Sequence, residues 1–266
     1  MRHLIPFVKS PAVVSVIRLH GMIAAQARGA ALNDAGLAPL LEKAFRRGKP
    51  KAVALMINSP GGSPAQSSLI SARIRRLAEK HKVRVHAFVE DVAASGGYYI
   101  ASAADDIWVD RHSITGSIGV ISAGFGAHEF IARHGIERRV HTAGDSKSML
   151  DPFRPEKAED VARLERILEH IHVEFIDHVK ERRGARLNEA MTLFNGEVWV
   201  GAAALETGLI DGVAHMVPKM QELYGKDVRL VPYRQRRPFL SRFGASLAAD
   251  ALDGIEERAS FARFGL

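Results

Sequence analysis

The chain has 266 residues, 47% hydrophobic and 25% charged, the balance of a soluble globular protein with room for one large domain or two small ones. It contains no cysteine, which excludes disulfides, a thiol nucleophile and cysteine metal sites and fits a reducing compartment. A formal net charge of +7 favours anionic surfaces, membrane phosphates or nucleic acid, or marks no more than a solvated basic face.

The opening MRHLIPFVKSPAVVSVIRLHG is broken by Pro6, Lys9, Pro11 and Arg18. It falls short of the roughly 20 apolar residues of a spanning helix and lacks the pattern of a secretory signal. These features predict a cytoplasmic location. A β-branched run predicts a buried strand over 12–19. Asn33 caps a predicted helix to Arg47 with Leu37, Leu40, Leu41, Ala44 and Phe45 on one face. Continuously apolar AVALMI, 52–57, predicts a strand covered on both faces.

The stretch NSPGGSP, 58–64, then turns the chain into a helix, with Ser63 as cap, Pro64 at its first position and Leu69, Ile70, Ile74 and Leu77 inward. Gly61 and Gly62 read either as a plain turn or as a place where a backbone N–H is exposed. A strand over 83–89 leads to a second small-residue junction, EDVAASGGYYIA, 90–101. There Ser95 stands before Gly96 and Gly97, either as a helix N-cap or as a nucleophile beside unpaired helix N–H groups able to hold an oxyanion.

Further on, strands are predicted over 106–109, 115–121 and 137–141, and a helix over 127–134. The loop TAGDSKSMLDPFRP, 142–155, carries Lys147, and a long helix follows over 156–183. A short helix over 187–194, a turn–helix stretch over 196–212 and strands over 213–218 and 228–231 complete the folded part. The alternation of strand and helix predicts an α/β domain over 1–228. Arg229, Arg234, Arg236, Arg237 and Arg242 then introduce a basic, amphipathic C-terminal tail over 229–266. That tail reads equally as a membrane-surface segment, a subunit contact or a loose end.

A serine nucleophile needs a base. The chain has 12 histidines, but none stands in a triad context, and His141, His170, His172 and His178 read as surface or structural residues. A lysine can serve where a dry site away from acids frees it of its proton. Lys147, between Ser146 and Ser148, is the best candidate, against the simpler reading of an exposed loop lysine.

Five blocks in order are INSPGGSP (57–64), EDVAASGGYYIASAAD (90–105), TGSIGVI (115–121), GDSKSMLDPFRP (144–155) and GEVWVGAAALETGLIDG (196–212). Together they resemble the signal peptide peptidase A family, SohB-type members included, within the ClpP/crotonase fold. The resemblance implies a ClpP/crotonase-like fold of repeated β-β-α and β-α-β units with a long helix. It also implies a Ser/Lys dyad peptidase acting on peptides such as signal-peptide remnants. Ser95 would be nucleophile and Lys147 base. The N–H groups of Gly62 and Gly96 would form the oxyanion hole, and Ser117 would orient the lysine. No metal and no cofactor is implied. A homo-oligomeric ring is implied, no nucleic acid is expected, and the basic tail offers peripheral contact with the inner membrane. A crotonase-type acyl-CoA enzyme on the same fold and a non-catalytic scaffold are the alternatives.

Overall fold

The computed structural model describes residues 11–25, 31–144, 147–234 and 258–266. They form two compact units, one of residues 1–118 with 177–266 and one of residues 119–176.

The first unit is built on three parallel strands. β1 (Val13–His20), β2 (Ala52–Ser59) and β3 (Arg84–Ala94) align Val16 with Ala54 and Ala54 with His86. β2 is buried almost throughout, as its unbroken apolar run predicts. β8 (Arg229–Tyr233) adds to the free edge of β1. On the other side β4 (Asp106–Val109) pairs residues 86–89 of β3, and β5 (Ile114–Gly116) pairs residues 92–94. β6 (Val198–Val200) lies antiparallel on β5, and β7 (Gly212–Val213) pairs β4. The mixed α/β sheet has the expected fold class. The expected boundary after residue 228 falls inside it, because β8 is hydrogen-bonded to β1; residues 235–257 of the proposed tail lie outside the described residues.

Helix α1 (Asp34–Arg46) is capped as its sequence predicts, with the Asn33 side chain accepting from the Gly36 N–H at 2.7 Å, and buries Leu37, Leu41, Ala44 and Phe45. Helix α2 (Pro64–His81) starts at Ser63 and buries Ile70, Ile74 and Leu77. Leu69, expected inward, is half exposed, because the buried stripe runs through Ser67 and Ser71 instead. α3 (Gly96–Ala101) follows β3 directly. One face of the sheet packs Val14, Ala52, Ala54 and Phe88 on Met220 of helix α7 (Met216–Tyr224). The Val14, Phe88 and Met220 side chains each contribute about 1.5–3 kcal/mol by leaving water, the two alanine methyls less. At the start of β3 the buried His86 ring stands 2.7 Å from both Asp106 and the Tyr224 hydroxyl. Burial opposes ionisation of Asp106, but His86 and Arg84 outweigh it and hold the carboxyl well below its usual range.

Four expected elements differ. The strand expected over 115–121 ends at Gly116, where Gly116 and Ser117 both take positive φ. Residues 137–141 form no strand; their charges pair locally, Arg139 with Glu137 at 2.7 Å. Residues 187–194 are turns, because the Asn188 side chain accepts from the Ala190 N–H and donates to Glu206 O in place of helical bonds. The strand over 213–218 stops at Val213, and Pro218 sits in the first turn of α7, where a missing N–H costs nothing.

The second unit holds α4 (His128–Arg133), the following loop and most of α5 (Ala158–Arg183). Its loop is tied by Asp151, which accepts from the Phe153 N–H and from Arg138. α4 buries no residue, and Phe175 is the unit's one buried residue among those described. No helix among the described residues is long and apolar enough to cross a membrane.

Candidate active site

The two glycine-rich junctions meet at the C-terminal ends of β2 and β3. β3 runs into Ser95, whose backbone takes φ 51° and ψ −123°, a conformation that L-residues adopt only when their surroundings impose it. Two bonds impose it here: Ser95 N donates to Gly116 O, and Ser95 O accepts from Tyr99 N, each at 2.9 Å. Ser95 stands at the N-cap position of α3, as one reading of the sequence has it, but its hydroxyl makes no capping bond. It is partly exposed, on a turn whose backbone is fixed.

The loop after β2 stands against this turn. A side chain at Gly61 would meet Ala94 O, Gly96 N and Ser95 Cβ, all at 2.9 Å. Ile23 forms a parallel bridge with Gly62, donating to Gly61 O and accepting from Ser63 N, both at 2.8 Å. In that pattern the Gly62 N–H faces away from Ile23. It lies 3.4 Å from where Gly96 would carry a Cβ. Among the described residues neither the Gly62 N–H nor the Gly96 N–H has an acceptor. Gly62 has φ +140° and its Cβ would strike Ile23 O at 2.0 Å, so this position admits no side chain. Two free N–H groups beside an unengaged hydroxyl can hold a tetrahedral oxyanion as it forms.

The register of β3 and β5, Ala94 opposite Gly116, puts Ser117 next to Ser95 along the sheet. Ser117 has φ 52° and its N–H donates to Glu197 O at 2.7 Å. Trp199 packs its ring over Gly116, where a Cβ would lie 2.6 Å away. Thus the tryptophan backs the residue whose carbonyl holds the Ser95 N–H.

Ser95, Gly62, Gly96 and Ser117 come together in the first unit. Lys147 belongs to the second, where its side chain is exposed and its N–H donates to Gly144 O at 3.2 Å. His178 is structural: it stacks on Tyr99 at 3.8 Å between ring centroids, and its Nε2 lies 2.9 Å from Ser102 Oγ. Burial lowers its pKa to about 4, so the ring is neutral over the working range. Beside it Arg182 covers the carbonyls of Ser102, Ala103 and Ala104 beyond the end of α3. The sequence reading passed over Ser59 and Ser67. The hydroxyl of Ser59 accepts from the Gly61 N–H at 3.3 Å, and that of Ser67 donates to Ser63 O at 2.9 Å. The signal for both was the density of small polar residues around NSPGGSP.

The chain is 47% identical over 95% of its length to a Brucella melitensis protein named Na(+)/H(+) antiporter NhaA, of which it spans 37%. It is 36% identical over 62% of its length to the chloroplastic serine protease SPPA of Arabidopsis thaliana, of which it spans 24%. Among solved structures, the 1510-N membrane-bound stomatin-specific protease superposes with a TM-score of 0.55 at 15% identity, covering 86% of this chain and 100% of that one. The family model described as Peptidase family S49 matches residues 77–224, which hold the Ser95 turn and Lys147. By that match and these relatives the chain belongs to peptidase family S49, the SppA/SohB-type family.

Proposed function

We propose that the chain is a serine endopeptidase working through a Ser95–Lys147 dyad. The observation that carries the reading is the Ser95 turn, a hydroxyl free of capping bonds beside the unpaired N–H groups of Gly62 and Gly96. Lys147 takes the Ser95 proton as the oxygen attacks a peptide carbonyl. The two N–H groups take up the oxyanion, and the protonated lysine gives its proton to the leaving amine. Water, deprotonated by the same lysine, then releases the acyl group. Ser117, beside Ser95 in the sheet, holds the amine in line. Substrates in this reading are peptides with small or apolar side chains, such as signal-peptide remnants.

The partner in this reading is a second copy of the chain, in a homo-oligomeric ring. Supporting it, the second unit exposes Phe125 (94%), Ile121 (65%), Phe130 (63%) and Ile136 (57%), apolar side chains that association with a second copy would cover. The ring works in the cytoplasm, peripherally at the inner membrane. The antiporter name of the Brucella relative supports a membrane setting.

The test is hydrolysis of a quenched fluorogenic peptide by wild type, Ser95→Ala and Lys147→Ala. Each substitution is expected to lower kcat by at least about 10³-fold, as loss of a nucleophile or its base does. Comparable turnover in all three proteins would overturn the dyad.

A further inference from the structure

β3 does not run straight to Ser95. Its pairing with β2 advances from Ile57↔Val89 to Ser59↔Ala93, so β3 spends four residues where β2 spends two. At the same place β3 changes partner on its other edge, from β4 at Val89 to β5 at Val92. Glu90 and Asp91 therefore sit in a bulge that belongs to neither ladder. A strand broken on both edges leaves backbone groups to be satisfied by side chains.

Asn58 does this from the β2 side. It is buried, 5% exposed, directly opposite the bulge. Its Nδ2 donates to Asp91 Oδ2 at 2.5 Å, and its Oδ1 accepts from the Val92 N–H at 3.3 Å. Ser113, in the β4–β5 turn, does it from the other side, its hydroxyl donating to Glu90 O. Arg18 on β1 holds the Glu90 carboxylate at 3.0 Å. Beyond the bulge three residues remain before Ser95, and Ala94 O and Ser95 Cβ reach the Gly61 position with no space to spare.

We propose that Asn58 is a positioning residue for the Ser95 nucleophile, its carboxamide fixing the bulge that sets where Ser95 stands against the Gly61–Gly62 loop. The carboxamide is suited to this because one donor and one acceptor are needed at once. A carboxylate of the same shape accepts from Val92 but faces Asp91 with no proton to give, and an apolar residue leaves the Val92 N–H unpaired. The two extra residues keep the side-chain alternation of β3 in phase. Loss of the bulge's internal bonds therefore shifts the strand end without turning the core face outward. The expected result is a misplaced hydroxyl on a folded protein.

The inference rests on Ser95 being the nucleophile. The experiment compares wild type, Ser95→Ala, Asn58→Ala, Asn58→Asp and the exchanged pair Asn58→Asp/Asp91→Asn in the full chain. It reads the rate of acylation by a fluorophosphonate probe, kcat and KM for a fluorogenic peptide, and urea unfolding. Asn58→Ala and Asn58→Asp are expected to acylate and turn over about 10²-fold more slowly, the loss typical of a misplacement near 1 Å, with KM changed less than about 3-fold. The exchanged pair, which restores one donor and one acceptor with their places reversed, is expected to return to within about 3-fold of wild type. Single variants that stay folded and acylate like wild type overturn the proposal, as does an exchanged pair that remains slow or does not fold. If neither single variant folds, the exchanged pair alone decides. A wild type that the probe does not label, or labels equally after Ser95→Ala, would instead overturn the nucleophile assignment.

Discussion

The two units solve the problem of ordering a chain in opposite ways. The sheet unit buries Val14, Ile17, Leu55, Val85 and Phe88 to 2% exposure or less and hangs the Ser95 turn on strands that pair with their neighbours. The unit of residues 119–176 carries Lys147 but buries only Phe175 among its described residues, and holds its loop by polar ties such as Asp151 to Arg138. A nucleophile needs a fixed hydroxyl and oxyanion donors, and a packed sheet supplies them before substrate arrives. A unit without a core gains its order from what it packs against, so in this molecule the proposed base sits where assembly could govern it.

Glycines give the sharpest contrast between the two. A Cβ at Gly97 would lie 2.4 Å from Ser59 O, a backbone atom that cannot yield without moving the loop that carries Gly62. At Gly126, in the second unit, a Cβ would meet nothing within 4 Å. Gly97→Ala is expected to lower kcat/KM by about 10²-fold or more and to destabilise the protein by about 1–3 kcal/mol. Gly126→Ala is expected to change turnover less than about 2-fold. Steady-state kinetics and thermal unfolding of the two variants check this, and equal effects would erase the distinction.

The junctions that build the site were legible for the same steric reason. Close approach of two turns demands paired glycines and small residues, and NSPGG and ASGG display that demand openly. Helix starts were legible too, since Asn33 and Ser63 are capping side chains whose bonds are local. The bulge at Glu90–Asp91 was not, because a change of register leaves no mark on composition; β3 reads as one strand ending at Val89. β6 was missed because three residues, Val198–Val200, carry too little pattern to count as a strand until β5 lies beside them. Helix α7 was hidden by Pro218, which reads as a breaker but sits where a helix accepts it. Lys147 was named on its place between two serines in a small-residue loop and gained weight from the family resemblance, since by composition alone a lysine in a polar loop looks like any other.

Deletions of apolar side chains sharpen the contrast at smaller cost. Leu55, fully buried in β2, is expected to lose about 2–5 kcal/mol of stability as Leu55→Ala, read by urea unfolding. Phe125, 94% exposed, is expected to change unfolding of the dilute chain by less than about 0.5 kcal/mol as Phe125→Ala. If copies of the chain assemble through this surface, the same substitution weakens association in sedimentation experiments at higher concentration. A Phe125→Ala chain that unfolds as readily as Leu55→Ala would show that the second unit has a core of its own.

A pH-dependent effect of about 1 kcal/mol lies where the chain returns from the second unit to the first. His178 packs on Tyr99 near Ser102, two residues after the division, with Arg182 alongside. Burial, with a smaller contribution from the Arg182 charge, disfavours its imidazolium and brings its pKa from 6.5 to about 4. Between those values the unfolded chain binds the proton and the folded chain does not, so stability rises with pH across that window. The contribution is complete above pH 6.5, is lost as pH falls toward 4, and amounts to about 3 kcal/mol at most. His178→Phe keeps an aromatic ring on Tyr99 and leaves the Ser102 hydroxyl its bond to Tyr99 O. It is expected to cost about 1 kcal/mol at pH 7.5 and to unfold with a shallower dependence on pH between 6.5 and 4.5. Parallel urea titrations at both ends of the window read the difference in slope. Identical slopes would mean that the ring at this junction is open to protons in the folded state, and that the return of α5 to the sheet unit is looser than its bonds to α3 imply.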